Sequence, residues 1–228
     1  MNDVKVGFSL GLARLRGLSA PLVLLLSCAA VFVFGVLLRR ADAASAADRV
    51  LTGAVFGAAL PLLAYAVSER LCNGQRLDES VAGLARHGSD RRAALLGLLL
   101  ASALCTAFSS ALLTVVALLG AHTPGAATLS ADLRSSVSVA LLSGAVYALW
   151  FGAASLYGKR GGGRRWALIF DFVLGAGSST LAAPWPRGHV RNLLGGEPVL
   201  DLTQAHAWLV LAAIGALSVV LSVTRAAE

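Results

Sequence analysis

The sequence predicts an all-α protein, a polytopic membrane bundle of about six transmembrane helices. Of its 228 residues, 57% are hydrophobic and only 14% are charged, whereas an ordinary soluble domain carries roughly 25% charged residues. The apolar residues are gathered in runs of about 20, the helix length that crosses a hydrocarbon core of roughly 30 Å. Because these runs use most of the chain, we treat residues 1–228 as a single transmembrane domain.

The hydrophobic runs favour helices over barrel strands. They are continuously apolar and rich in Leu and Ala, whereas barrel strands alternate over about ten residues. The third run is long enough to tilt, and the second and fifth are short enough that a partly re-entrant course stays open. We predict six spans, at residues 19–38, 50–67, 93–119, 137–157, 166–183 and 205–223.

Positive charges are distributed unevenly between the predicted loops. If both termini lie in the cytosol, six of the 19 Lys and Arg residues fall outside. These six are Arg39, Arg40, Arg49, Arg134, Arg187 and Arg191. Since cytosolic loops collect Lys and Arg, we predict an N-in, C-in multi-pass protein of the inner (cytoplasmic) membrane. Topology and anionic lipid headgroups also explain the net charge of +7, so we predict membrane lipids and no nucleic acid as partners.

The N-terminal segment, residues 1–18, is predicted to form a helix on the cytosolic membrane surface. Val4, Phe8, Leu12, Leu15 and Leu18 fall within one broad helical stripe. Basic residues flank the stripe, where their stems reach the headgroups. The alternative is a basic leader without a defined helix.

The longest predicted cytosolic loop, residues 68–92, contains a second amphipathic pattern. Leu77, Val81 and Leu84 repeat at i, i+4 and i+7. Four charged residues are expected to face away from this stripe: Arg76, Asp78, Glu79 and Arg86. The pattern predicts a short helix along the cytosolic surface that suits docking to a soluble partner. The alternative is a connector that rests on lipid headgroups.

The predicted outer loop, residues 184–204, is rich in signals for local structure. Trp185 suits the membrane interface, and the two neighbouring prolines end the preceding helix. A short helix from His189 through Arg191 to Leu194 dips into the outer leaflet in this interpretation. The segment is either a gate over a substrate path or an ordinary interfacial loop.

Asp171 is the one ionisable residue clearly within a predicted span, which makes it a candidate functional residue. It lies five residues beyond Trp166, or about 7.5 Å along a helix. We therefore favour a structural interpretation, in which Asp171 meets interfacial water or the arginines at positions 164 and 165.

The search for catalytic motifs finds none. The run GKRGGGRR lacks the spacing and the Lys-Ser/Thr pair of a P-loop, so the chain is not expected to hydrolyse ATP. His residues stand singly, and the three Cys residues have no paired spacing. We predict no catalytic residue, no metal site and no cofactor in this chain.

The layout resembles the permease subunits of type-2 ABC exporters. Those proteins have six spans, an N-terminal interfacial helix, a cytosolic coupling helix between spans two and three, and re-entrant outer gate helices between spans five and six. All three accessory elements are predicted here in that order. The closest local likeness is residues 69–100, where an acidic residue, a short Leu-bearing helix, a Ser and basic residues lead into span three.

This resemblance implies a partner and a mechanism. Two copies, or this chain with a related permease chain, form a pathway, and a separate ABC ATPase that carries ATP and Mg²⁺ grips the helix around residues 77–86. Glu79 and Arg86 then contact the ATPase, and Leu77, Val81 and Leu84 anchor the helix to the bundle. Asp171, Trp185, His189 and Arg191 are the candidate gate or pathway residues. The substrate expected is lipid-like or amphipathic.

Two other classes of function remain open on the sequence alone. A structural or assembly subunit needs no pathway. An intramembrane enzyme needs a polar catalytic pair, for which Asp171 with Ser178 or Ser179 offers the candidates.

Overall fold

The computed structural model describes residues 2–17, 19–122 and 129–225, and within these residues the chain is helical, with no strand. Leu18 of the predicted N-terminal stripe lies outside the described residues. We number the α-helices in chain order: α1 (Asn2–Leu15), α2 (Ser19–Ala41), α3 (Ala46–Cys72), α4 (Ala82–Arg86), α5 (Arg91–Ala121), α6 (Leu129–Ala154), α7 (Gly163–Leu174), α8 (Pro186–Leu193) and α9 (Gln204–Arg225).

Five of the predicted spans are confirmed as helices long and apolar enough to cross a membrane. Within the described residues these are Pro21–Ala41, Ala46–Cys72, Arg91–Ala121, Leu129–Ala154 and Gln204–Arg225. The fold is therefore that of a helical membrane bundle, in agreement with the composition.

The prediction for the fifth span, residues 166–183, is wrong in its second half. Helix α7 ends at Leu174, and after a single 3-10 turn at Thr180–Ala182 the chain becomes α-helical again only at α8. Gly and Ser residues at 175–179 have low helix propensity, and Pro184 and Pro186 cannot continue a preceding helix. The short helix predicted from His189 to Leu194 is present, but it begins earlier, at Pro186.

Helix α3 contains an unusual stretch of π-helix, Val50–Ala59, between two α-helical parts. A π-helix of ten residues is rare, and such segments concentrate at functional sites because they displace backbone carbonyls from their usual partners. The carbonyl of Gly57 in this stretch accepts a hydrogen bond from a side chain of α8, at 2.6 Å. The π-helical stretch therefore lies against the broken fifth span.

The long helix α5 is the centre of the bundle and is approached closely by its neighbours. A Cβ at Gly120 would lie 2.6 Å from the carbonyl oxygen of Phe32 on α2, and a Cβ at Gly144 of α6 would lie 2.7 Å from Cα of Ala107. Small residues at such crossings let helix backbones pack directly, which is the usual source of stability between transmembrane helices.

Helix α1 is confirmed as a helix, and it packs on α5 through two glycines. Gly7 and Gly11 are buried, whereas Val4, Phe8, Leu12 and Leu15 of the predicted stripe are half-buried. A Cβ at Gly7 would lie 1.9 Å from the carbonyl oxygen of Ala94 on α5, and one at Gly97 of α5 would lie 2.0 Å from that of Val4. The glycines that lower the helix propensity of α1 thus allow it to cross α5 in contact.

The segments that the charge pattern assigned to the cytosol meet at one end of the bundle. Arg14 of α1 donates to the carbonyl oxygens of Leu71 and Ser80. Arg225, at the end of α9, lies over the ring of Tyr157 at 5.5 Å. This end of the bundle thus contains the predicted docking segment (residues 76–86), the start of α7 and parts of both terminal helices.

Candidate functional site

The first candidate site is the segment between α3 and α5, which contains the predicted coupling helix. It turns at Asn73 and Gly74, both at positive φ, and then forms a 3-10 turn at Glu79–Val81 followed by α4. Gly88, at φ 86°, ends it. The predicted helix is therefore present as two short helical pieces.

The apolar side of this segment is part of the core. Leu77 and Val81 have no exposed surface, and they belong to one buried cluster with Leu95 and Leu98 of α5 and Leu71 of α3. Leu84 is only half-buried. Two of the three predicted anchors thus fix the segment rigidly to the bundle.

The charged residues divide into an internal and an external set. The carboxylate of Asp78 pairs with Arg76 at 3.1 Å and Arg91 at 3.6 Å, so Asp78 does not face away as expected but holds the loop to the start of α5. A carboxylate oxygen of Glu79 accepts the backbone N–H of Arg76, at 3.2 Å. Glu79 and Arg86 are exposed, which leaves them as the charged face of the segment.

Arg14 connects α1 to this segment. Its guanidinium donates to the carbonyl oxygen of Ser80 at 2.9 Å and to that of Leu71. Burial lowers the pKa of Arg14 from its ordinary value, because the charged form loses solvation. The N-terminal helix, the end of α3 and the docking segment are therefore joined through one side chain.

Arg164 connects the same segment to α7, a role that no sequence pattern predicted. It is 2% exposed, although it lies in a basic glycine-rich run that reads as a flexible turn. Its Nε lies 2.5 Å from Oε2 of Glu69, and its Nη1 donates to the carbonyl oxygen of Gln75 at 3.3 Å. The buried Arg164 thus joins the base of α7 to both the end of α3 and the docking segment.

The second candidate site surrounds the break between α7 and α8. Asp171 is fully buried there. Its carboxylate accepts the phenolic O–H of Tyr147 on α6 at 2.9 Å and the backbone N–H of Arg187 on α8 at 3.3 Å. The expectation that Asp171 meets interfacial water or the arginines at 164 and 165 is therefore wrong, because its side chain is turned into the bundle.

The other three of the four predicted gate or pathway residues lie on or next to α8, packed into the bundle rather than in an outer loop. Trp185 packs edge-on against Trp150 of α6, with ring centroids 5.7 Å apart. His189 is fully buried, and its Nε2 donates to the carbonyl oxygen of Ala183 at 2.7 Å. Arg191 donates to backbone carbonyl oxygens of the break, including that of Gly177 at 3.0 Å. These residues stabilise the interruption between the two helices.

Arg187 is a further residue of this site. The distribution of Lys and Arg predicted only that it lies on the outer side of the membrane. Its Nη2 donates to the carbonyl oxygen of Gly57 at 2.6 Å, and its guanidinium lies 4.4 Å from the centre of the Phe172 ring. Gly57 is close to the middle of the 27-residue run of α3, so Arg187 sits deep in the apolar part of the bundle. The one signal in the sequence is Pro186, which directly precedes Arg187 and favours the start of a helix.

The geometry does not assemble a catalytic pair around Asp171. Among the described residues, its hydrogen-bond partners are Tyr147 and Arg187, and neither Ser178 nor Ser179 is one of them. The described part of the chain also contains no group of three His, Cys, Asp or Glu residues that could hold a metal ion.

Fold and composition together define the chain as a multi-pass helical membrane protein with two buried polar clusters, one at an end of the bundle and one at a helix break. Comparisons with protein-family models, with curated proteins and with solved structures found no match to it.

Proposed function

We propose that this chain is the transmembrane permease subunit of an ATP-driven ABC exporter, energised by a separate ATPase chain that carries ATP and Mg²⁺. The observation that supports this most directly is the docking segment, residues 76–86. Its apolar side is locked into the bundle through Leu77 and Val81, while Glu79 and Arg86 remain exposed. A rigidly mounted segment with a charged outer face is suited to transmit force from a soluble partner.

A mechanical route leads from this segment towards the membrane interior. Glu69 and Gln75 flank the turn into the segment, and both contact Arg164 in the first turn of α7. Helix α7 then carries Asp171, which meets the backbone at the start of α8. An ATPase that closes on binding ATP would displace the segment and α7 together, and nucleotide binding would thereby favour one of two global conformations.

Helices α7 and α8 form one discontinuous crossing in this proposal. Their 12 and eight residues measure about 18 Å and 12 Å along the helix axes. Because α8 begins beside Asp171, the two pieces overlap by about one turn and together cover most of a hydrocarbon core of roughly 30 Å. Discontinuous helices near the bilayer midplane mark the substrate sites of many transporters. With the five continuous helices this makes six crossings in the inner membrane, with both termini in the cytosol.

A complete pathway requires a second permease chain, either another copy or a related one. Helix α7 leaves Trp166, Ile169 and Val173 exposed at i, i+3 and i+7, which is one continuous helix face. The second chain covers this face in the proposed assembly, and the exported substrate is lipid-like or amphipathic.

The test is affinity purification of the tagged chain from its native host in mild detergent. We expect a P-loop ATPase to co-purify with the wild-type chain and to be lost with the double charge reversal Glu79→Arg and Arg86→Glu. The matched control is Asp132→Arg with Arg134→Glu, which reverses two exposed charges on α6 at the opposite end of the bundle.

Two results would refute the proposal. Recovery of an intact complex without any ATPase would favour a structural or assembly subunit. Equal recovery of the ATPase with the wild type and with the Glu79 and Arg86 double reversal would remove the docking role of the segment.

A further inference from the structure

A cavity of about 190 Å³ lies beside the helix break, between the π-helical stretch of α3 and the start of α8. Its walls are formed by Phe56, Val190 and Leu194, by small residues of the break, and by the side chains of Arg187 and Arg191. It therefore combines an apolar wall with two guanidinium groups.

The protein balances only part of the positive charge in this cavity. None of the ion pairs between described residues includes Arg187 or Arg191. Asp171 is the nearby carboxylate, but its contact with Arg187 is to the backbone N–H. Two guanidinium groups against one carboxylate leave a net positive charge in a region where an uncompensated charge is costly.

The two arginines also have hydrogen-bond donors to spare. A guanidinium carries five N–H donors. Holding the break in place uses one donor of Arg187, to Gly57, and two of Arg191, to Ala176 and Gly177. Nη1 of Arg187 and Nε of Arg191 are buried and have no hydrogen-bond partner among the described residues. Since a buried, unpartnered donor destabilises the fold, the hydrogen bonds that hold the break in place do not account for these two donors.

Two glycines on the cavity wall leave no room for a side chain. A Cβ at Gly57 would lie 2.5 Å from the carbonyl oxygen of Thr52, and one at Gly175 would lie 2.5 Å from that of Asp171 and 2.9 Å from Cβ of Arg187. The hydroxyl of Thr52, on the cavity wall, donates to the carbonyl oxygen of Asp48 and so has no proton left for a ligand. Among the side chains of the cavity wall, those of Arg187 and Arg191 therefore carry the N–H donors for a ligand.

We propose that this cavity binds one phosphate-class anionic group through Arg187 and Arg191. Forked guanidinium groups match the oxygens of a phosphate, and two of them offset its charge. A volume of about 190 Å³ holds the equivalent of roughly six water molecules, enough for a phosphate group but not for a whole lipid or glycan. The apolar wall of Phe56, Val190 and Leu194 suits the hydrocarbon attached to a headgroup.

In transport, this group would be the anionic headgroup of an amphipathic substrate. That assignment rests on the proposed function, whereas binding itself does not. If the protein binds phosphate but no ATPase co-purifies with it, the anion site stands and the exporter proposal fails. If an ATPase co-purifies but phosphate does not bind, the exporter proposal stands and the anion site fails.

The test uses the purified full-length protein in an uncharged detergent, with dioctanoyl phosphatidic acid as the probe and calorimetric titration as the measurement. Dioctanoylglycerol, which has the same chains but no phosphate, is the ligand control. We expect saturable binding of phosphatidic acid to the wild type and to Arg134→Gln, an exposed arginine of α6. Affinity should fall at least tenfold in Arg187→Gln and Arg191→Gln, and dioctanoylglycerol should not bind.

A third variant separates loss of the site from loss of the fold. Ala176→Leu places a larger side chain at an exposed position on the cavity wall, keeps both guanidinium groups and leaves the backbone carbonyl that Arg191 uses. It should elute as a single species, melt like the wild type and bind phosphatidic acid at least tenfold more weakly. Competition by inorganic phosphate at similar concentration would assign the site to a free anion, and binding only of the acylated probe would assign it to a lipid headgroup.

The proposal is overturned by either of two results. One is equal affinity for phosphatidic acid in the wild type and in both arginine variants. The other is the absence of saturable binding of phosphatidic acid and of inorganic phosphate to the wild-type protein.

Discussion

Nε of Arg164 lies 2.5 Å from Oε2 of Glu69, and this contact joins the first turn of α7 to the last turn of α3. Arg164 is 2% exposed, whereas the side chain of Glu69 keeps 34% of its surface in contact with solvent. The guanidinium also reaches Ser155 Oγ at 3.4 Å, at the end of α6. One buried side chain therefore holds together three helix ends beside the docking segment.

Arg164→Gln should destabilise the fold. Removing one partner of a buried ion pair costs roughly 3–5 kcal/mol, and solvent around Glu69 reduces the expected loss to about 2 kcal/mol. The measurement is the thermal unfolding midpoint in detergent. Arg165→Gln is the matched control, because Arg165 is exposed on the same turn and should change the midpoint little. Equal midpoints for the two variants would show that the pair does not secure this end of the bundle.

The docking segment should respond unequally to truncation of its apolar residues. Leu77→Ala removes a fully buried side chain and should cost about 2–5 kcal/mol of unfolding free energy. Leu84→Ala, at a half-buried position, should cost less than about 1 kcal/mol. Thermal unfolding of the two variants gives the comparison. A larger loss at Leu84 would contradict the packing described for the segment.

The crossing of α1 over α5 should not tolerate a side chain at its contact point. Gly97→Ala places a methyl group 2.0 Å from the carbonyl oxygen of Val4, so α1 must move away, at a cost of about 1–3 kcal/mol. Gly53→Ala is the control, because a Cβ there has no atom within 4 Å. Limited proteolysis of the N-terminal helix should be faster in Gly97→Ala only. Identical cleavage rates in both variants would argue against the direct backbone contact.

The carboxylate of Asp171 and the phenol of Tyr147 should be coupled. Tyr147→Phe removes a hydrogen bond to a buried carboxylate, which is worth about 1.5–3 kcal/mol. Asp171→Asn keeps an acceptor oxygen for the phenol, so we expect a smaller loss of unfolding free energy from this variant. A double-mutant cycle of Tyr147→Phe with Asp171→Ala, which removes the acceptor, measures the coupling by thermal unfolding, and additive effects would exclude it. An Asp171→Asn variant that keeps its biological function would count against the enzyme interpretation.

Single cysteines introduced into a cysteine-free variant should report which end of the bundle faces the cytosol. Arg86→Cys and Lys159→Cys, at exposed positions on the docking-segment end, should react with an impermeant maleimide only after the membrane is opened. Arg134→Cys, exposed at the other end, should react in intact cells. The opposite pattern would reverse the topology predicted from the distribution of Lys and Arg.

Much of the membrane architecture was predictable from the sequence because it depends on local properties. Five runs of apolar residues became five helices of spanning length. The repeat of Leu77 and Val81 correctly indicated the buried side of the docking segment. The short helix predicted to end at Leu194 ends at Leu193. In each case the information lies within a few residues of the feature.

The errors arose where one residue's environment is supplied by a distant part of the chain. Asp78 was expected to face outward, but Arg91 at the start of α5 draws it inward. Gly7 lowers the helix propensity of α1, but in the folded chain it is a contact point with α5. Arg187 was counted as an outer charge, although Gly57, 130 positions earlier, accepts its hydrogen bond.

Composition, the length of the apolar runs and the placement of Lys and Arg were enough to predict a helical membrane bundle, because partition between water and lipid acts on each segment separately. The break in the fifth span, the burial of Arg164 and the cavity lined by Arg187 and Arg191 depend instead on which helices meet. A buried charge is tolerated only where its partners converge in space, and that convergence is a property of the packed helices.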